Sequence, residues 1–189
     1  TEAVLSNDDD LFYTPESAEY LFRFVIIGVV RICQIWQRHR RSIVGDSPRF
    51  SGDGTYEFDG HPCLNVVLTN SAFVPTALMR QYSEPTAGPV AQLRAHVDEH
   101  TNCEDIGINF VAAASTEPEM VMDPPVSVSM PGGWANERLM ATLINHHSQP
   151  AHYTKRANCG KAFMGFFGRL GLPNIRHTYT LQQHLDHKL

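Results

Sequence analysis

No two cysteines of this 189-residue chain stand in a CxxC pair. Cys33, Cys63, Cys103 and Cys159 are too scattered for a zinc site of the usual ligand spacing. On their own they read either as free thiols or as containing one long-range disulfide. Long apolar runs are lacking as well. The most apolar stretch, YLFRFVIIGVVRIC (Tyr20 to Cys33), is broken by Arg23 and Arg31, which leaves seven uninterrupted residues from Phe24 to Val30. A bilayer span needs about 20. Positive charge is also scarce: the formal net charge of −5 argues against a general nucleic-acid binder, so no nucleic-acid partner is expected. The one basic cluster, Arg38, His39, Arg40 and Arg41, reads as the solvated C-terminal end of a helix. There is no internal repeat and no visible signal peptide, and the sequence opens on Thr1 rather than Met, which leaves room for an upstream segment.

What is present suits a single packed globular domain, since 42% of residues are apolar and 19% charged, and its strand and helix segments, taken in order, read as an α/β chain. Ala3 to Ser6 reads as a short strand. Thr14, Pro15 and Glu16 form a helix start, and that helix has room to run to about Arg41, unless Gly28 and the β-branched cluster around it split it in two. From Arg41 to Val74 the chain is β-rich, with a strand ending at Ile43-Val44-Gly45, a hairpin-type turn at Asp59-Gly60 and a buried strand from Leu64 to Thr69. Helices follow at PTALMRQYSE and PVAQLRAHVDEH, opened by Pro75 and Pro89. In TNCEDIGINFVAAAS, Thr101 and Glu104 fit a capping box, with an apolar face of Ile106, Asn109, Phe110 and Ala113 behind it. Breakers fill the segment from Pro118 to Gln149, and a last helix spans about Ala151 to Phe167. Trp36, Phe110, Phe163, Phe166 and Phe167 read as core.

The densest chemistry is LSNDDDLFYTP, in which Asp8, Asp9 and Asp10 follow the first strand directly. Three adjacent carboxylates repel one another unless water or a cation screens them. The triplet therefore reads as a solvated turn or as a divalent-cation site, because Mg²⁺ and Mn²⁺ take hard oxygen ligands and bridge carboxylates to phosphates. A plain Ca²⁺ loop is a weaker third reading, since the Gly and distal Glu of an EF-hand are missing. His146, His147 and His152 have no acidic or cysteine partner at metal spacing and read as surface or capping residues. His152 is the exception to watch, because it lies four residues before Arg156 and shares its helix face.

Four segments, taken in order, resemble the exostosin-type glycosyltransferases, family 64, over most of the chain. VLSNDDDLFYTPE is similar to that family's strand and Asp-x-Asp motif. IWQRHRRSIVGDSPRF is similar to its Trp-containing helix, Val-Gly step and following Arg. The third segment is VVLTNSAFV; the fourth pairs NCEDIGINFVAA with KRANCGKAFMGFFGRLGLP. The resemblance implies a GT-A-like nucleotide-diphospho-sugar transferase fold, a divalent metal (Mn²⁺ or Mg²⁺), a nucleotide-sugar donor that is UDP-linked, a glycan or glycolipid acceptor, and retention of anomeric configuration. It implies metal ligation by Asp10 with Asp8, substrate contact by Asp8 and Asp9, sugar-site positions at Ser71 and Ala72 that a strand end explains equally well, and an active centre of Asn102, Asp105 and Arg156. The shared helix face, not the resemblance, adds His152 as a candidate substrate contact. The resemblance also implies a Cys103–Cys159 disulfide, and with it an oxidising compartment, the lumen of the Golgi or endoplasmic reticulum, with any membrane anchor outside this chain.

Elementary chemistry agrees with those roles. A departing nucleotide diphosphate gathers negative charge that a metal and an arginine stabilise. Asp105 falls in the first turn of a predicted helix, whose positive end attracts a carboxylate. Such a carboxylate can steady an oxocarbenium-like centre or act as nucleophile, and the sequence leaves double displacement and front-face attack both open. Only seven residues precede Asp8, so the resemblance reads residues 1–189 as the C-terminal part of a GT-A catalytic domain. On that reading the metal motif is at 8–10 and the sugar and acceptor half at 43–180, while the base- and ribose-binding half is missing. The chain also exceeds the family pattern by about ten residues near VIIGVVRICQ; if helical, the excess is about 15 Å. The alternative is a non-catalytic family member that binds a glycan or a partner glycosyltransferase.

Overall fold

A computed structural model of the chain describes residues 2–7, 32–57, 61–115, 122–129, 150–168 and 171–180. Strand β1 (Ala3–Asn7) is followed by helical residues 32–36 (α1), then β2 (Val44–Gly45), β3 (Pro48–Gly52), β4 (Thr55–Glu57), β5 (Val66–Val67) and β6 (Ser71–Pro75). Three helices come next, α2 (Thr76–Ser83), α3 (Gly88–His100) and α4 (Glu104–Ala114). Strand β7 (Val126–Ser129), helix α5 (Pro150–Phe167) and strand β8 (His177–Thr180) complete the order.

The main sheet has the order β1-β6-β2-β7-β8. β2, β7 and β8 run parallel, whereas β6 is antiparallel to both of its neighbours, β1 and β2. The two-residue alternation of β6 decides what lies on each face. Phe73 joins Val44, Val126 and Val128 beneath Ile32, Ile35 and Trp36 of α1. Ala72 and Val74 point the other way, into a larger core with Leu78, Leu93, Ile106, Phe110 and Phe163. The result is a mixed α/β fold with helices on both sheet faces. No helix among the described residues is long and apolar enough to cross a membrane.

Proline sets the boundaries around α2 and α3. Pro75 cannot extend a ladder through its nitrogen and becomes the N-cap of α2, while Thr76 N–H donates to Glu2 O at 3.0 Å and fixes the corner to β1. α3 carries Pro in its first turn and stops at Thr101, whose φ of 47° is left-handed. The Thr101–Glu104 capping box does not form. α3 consumes the sequence up to His100, Thr101 closes that helix, and the N-cap of α4 is Cys103, with no side-chain capping bond. Nor is α4 amphipathic: every residue from Asp105 to Ala112 is buried, because α2, α3, α5 and β5 all pack on it.

Other expectations need adjustment. α1 ends at residue 36 and gives way to turns, with Arg38 N–H on Ile35 O and His39 N–H on Trp36 O, so it does not reach Arg41. The basic cluster follows the end of α1 with its arginines exposed, as a solvated helix end should be, and it also bridges to other segments. Arg40 pairs with Glu2 at 2.6 Å, Arg41 approaches Asp123 at 3.9 Å, and His39 Nε2 meets the Tyr179 hydroxyl at 2.7 Å. A hairpin turn forms at Asp53-Gly54, both with positive φ, as a two-residue type I′ turn requires. Asp59-Gly60 lies outside the described residues. Of the expected Leu64–Thr69 strand only Val66–Val67 pairs in a ladder, although the chain from Asn65 to Leu68 is buried.

Candidate functional site

The site is assembled on the first turn of α4. Strand β5 pairs with β3 at only two residues, and two asparagine side chains bond to backbone groups beside that short ladder. Asn109 Oδ1 accepts from Val67 N–H at 3.2 Å, and its Nδ2 donates to Val67 O at 3.0 Å and to Asp105 O at 2.7 Å. Asn65 does the same on the other side, accepting from Ser51 N–H at 2.9 Å and donating to Ser51 O at 3.0 Å. Each carboxamide stands in for a missing peptide group, and each is buried, which is why it must bond.

α5 brings the cation. Arg156 Nη2 donates to Asp105 Oδ2 at 2.6 Å, and Nη1 to Asn102 Oδ1 at 3.3 Å. Asp105 Oδ1 accepts from Ile106 N–H at 2.7 Å. The two charged side chains are only 7% and 10% exposed, so the attraction acts in a medium where water screens little. Burial opposes the Arg156 charge, but Asp105 and Tyr56 outweigh it and hold the guanidinium above its ordinary range. The Arg156 Cζ lies 4.7 Å from the centroid of the Tyr56 ring. Burial also pushes the Tyr56 phenol up, with Arg156 opposing. Arg156 Nε is buried and has no hydrogen-bond partner among the described residues, so one donor of the fork is unspent.

The corner that presents Asn102 is costly. Thr101 and Cys103 both have positive φ, 47° and 78°, a region that non-glycine residues seldom occupy. Cys103 is held there by its disulfide to Cys159, with the Cα atoms 6.4 Å apart, which ties the start of α4 to α5 one turn beyond Arg156. Cys33 and Cys63 are free.

The sequence-derived residues Asn102, Asp105, Arg156, Cys103 and Cys159 thus come together from segments more than 50 positions apart. His152 lies one turn before Arg156, partly buried, with its ring edge-on to Tyr153 at 5.7 Å. Ala72 is fully buried in the sheet, opposite Ser6 and Gly45. Ser71 opens β6 opposite Asn7, the last residue of β1. Asp8, Asp9 and Asp10 lie outside the described residues. As hard oxygen donors they suit Mn²⁺ or Mg²⁺. The segment 65–71 joins Val67, bonded to α4, with Ser71, paired to the end of β1. Among the described residues no group of three or more His, Cys, Asp and Glu side chains forms a metal site.

Sequence reasoning missed Tyr56 and the roles of Asn65 and Asn109. The available signals were Asn109, a polar residue on an expected apolar face, and Asn65, a polar residue in an expected buried strand, each of which must find a buried partner.

A model of the glycosyl transferase family 64 domain matches residues 1–184. The chain belongs to that family. Family 64 relatives include the exostosin-like-3 homolog of Caenorhabditis elegans, 28% identical over 172 residues, 89% of this chain and 18% of that protein. Glucosamine inositolphosphorylceramide transferase 1 of Arabidopsis thaliana is 29% identical over 182 residues, 90% of this chain and 21% of that protein. Exostosin-1 of Mus musculus is 27% identical over 179 residues, 91% of this chain and 21% of that protein. The chain therefore spans about a fifth of the length of these curated relatives.

Proposed function

We propose that this family 64 chain belongs to a metal-dependent, retaining glycosyltransferase of GT-A fold that moves a hexose or N-acetylhexosamine from a UDP-sugar to a glycan or glycolipid. The observation that carries the reading is the buried Asp105–Arg156 pair, braced by Asn102 and set at the start of α4. A relative's name, glucosamine inositolphosphorylceramide transferase, supports an amino-sugar and a lipid-linked acceptor as members of the substrate class.

In this reading Arg156 stabilises the negative charge that gathers on the departing diphosphate, acting from a fixed, water-poor position. Asn102 holds the guanidinium, and Asp105 faces the positive charge that develops at the anomeric carbon, either as a stabilising carboxylate or as the nucleophile of a double displacement. Asp9, Ser71 and His152 would contact donor or acceptor, whereas Ala72, fully buried in the larger core, would support the sheet behind Ser71 and meet no substrate. Mn²⁺ or Mg²⁺ held by Asp8 and Asp10 would neutralise the diphosphate. The disulfide suits an oxidising secretory lumen, Golgi or endoplasmic reticulum.

A second reading has one observation behind it. Asp105 and Arg156 satisfy each other, as a purely structural pair would, which fits a non-catalytic member that binds a glycan or a partner glycosyltransferase. The deciding experiment supplies the protein with UDP-N-acetylglucosamine or a UDP-hexose, Mn²⁺ and oligosaccharide acceptors, and follows product by mass spectrometry. Transfer that chelator and Asp10→Ala both abolish supports the enzyme. Glycan binding without donor binding or transfer supports the second reading instead.

A further inference from the structure

Tyr56 reaches Arg156 through a chain of close approaches, and each link is specific. Asn65 clamps Ser51 by both backbone groups, at 2.9 and 3.0 Å. Ser51 and Tyr56 are direct cross-strand partners in the β3–β4 hairpin. Ser51 in turn sits against Gly160 of α5 so tightly that a Cβ there would come within 2.5 Å of Ser51 Oγ. Gly160 is one helical turn after Arg156, so seating Ser51 on the glycine swings Tyr56 over the guanidinium, 4.7 Å from its Cζ. Tyr153, on the same turn of α5, lies against Tyr56 with ring centroids 6.5 Å apart and planes 27° from parallel. A guanidinium with one side on an aromatic face has fewer orientations open to it, and the arginine here already holds Asp105 and Asn102 through its two terminal nitrogens.

We propose that Tyr56 is a positioning residue: its ring, seated by the Ser51–Gly160 contact, and its hydroxyl together hold Arg156 in the orientation in which the arginine meets the reacting diphosphate. The inference rests on the glycosyltransferase reading for its functional half and on geometry alone for its structural half. It assigns a role to the hairpin, both strands of which pack on α5. Tyr56 acts through Arg156 and touches no reacting atom.

Two readouts test it. In ¹H–¹⁵N spectra of the protein, the Arg156 Nε–H signal, assigned by its loss in Arg156→Lys, should lie upfield of ordinary arginine signals in the wild type. It should stay there in Tyr56→Phe, and move downfield in Tyr56→Leu and in the bulkier, flexible Tyr56→Met. In transfer assays with UDP-N-acetylglucosamine, kcat should fall about tenfold in Tyr56→Leu with donor KM nearly unchanged, and by a smaller factor in Tyr56→Phe, which keeps the ring and loses the hydroxyl's bond to the guanidinium. An Arg156 signal at the ordinary position in the wild type overturns the proposal without any variant having to fold. So does a Tyr56→Leu protein with unaltered signal and unaltered kcat. A wild type that transfers no sugar overturns the glycosyltransferase reading instead, and the spectra still decide whether Tyr56 positions Arg156.

Discussion

Replacing Cys103 and Cys159 together by alanine removes the covalent tie between α4 and α5 and leaves the Asp105–Arg156 ion pair to hold the corner. The two cysteines are 56 positions apart, so the bond closes a long loop in the unfolded chain. In the chain-entropy model a loop of that size contributes about 4 kcal/mol. Both sulfurs are almost fully buried, and losing them leaves small voids that act in the same direction. For a chain of this length each kcal/mol moves the midpoint by roughly 2–4 °C, so thermal unfolding of the double variant should fall by about 10 °C or more. A reductant should lower the wild-type midpoint similarly and leave the variant unmoved. Thiol titration of the unreduced, unfolded wild type should find only Cys33 and Cys63. Four reactive thiols, or a midpoint insensitive to both treatments, would refute the reasoning.

Three further outcomes follow from packing and charge. Gly160→Ala forces a methyl into Ser51 Oγ and should destabilise the fold by about 1–3 kcal/mol in denaturant titration, whereas the same change at Gly165, where a Cβ meets nothing within 4 Å, should not. Arg156→Met leaves Asp105 buried without its cation and should cost about 3–5 kcal/mol; a loss below 1 kcal/mol would show that the pair is far wetter than its burial indicates. His39, lowered by burial and by His177, and His96, lowered by burial and by His100, both titrate below 6.5 in the folded protein. The unfolded chain then binds protons first on acidification, so their contribution is full above 6.5 and is lost as the pH falls through the folded values; melting at pH 7.5 and 5.5 should show the decline, and His39→Gln should shrink it.

The fold was most legible where one residue type forces the backbone. Pro75 and Pro89 announce α2 and α3 because proline cannot continue a ladder and suits a first helical turn. Dipeptide signals were ambiguous for a physical reason: Asp53-Gly54 and Asp59-Gly60 are the same chemistry, and only the pairing of Phe50 with Glu57 and Ser51 with Tyr56 selects the first as the described hairpin. The capping box failed although its residues are present, because the end of α3 claims Thr101 before α4 begins. The one-faced helix expected at α4 failed because four neighbours bury every residue from Asp105 to Ala112, and burial on every side erases the period that sequence reading relies on.

The candidate site was legible only through family likeness. Asp105 and Arg156 are 51 positions apart and carry no local pattern that joins them. Tyr56 lies farther from view still, since its contact with Arg156 depends on a glycine in another element.

The most direct test of the account is the transfer rate of Asp105→Asn, a substitution that keeps the shape of the side chain and removes its charge, measured with UDP-sugar and Mn²⁺ once cooperative unfolding shows the variant folded. If Asp105 faces the reacting carbon, the rate should fall by about a hundredfold or more. A folded variant whose rate stays within about threefold of wild type would contradict it, and would leave the Asp105–Arg156 pair as a structural brace.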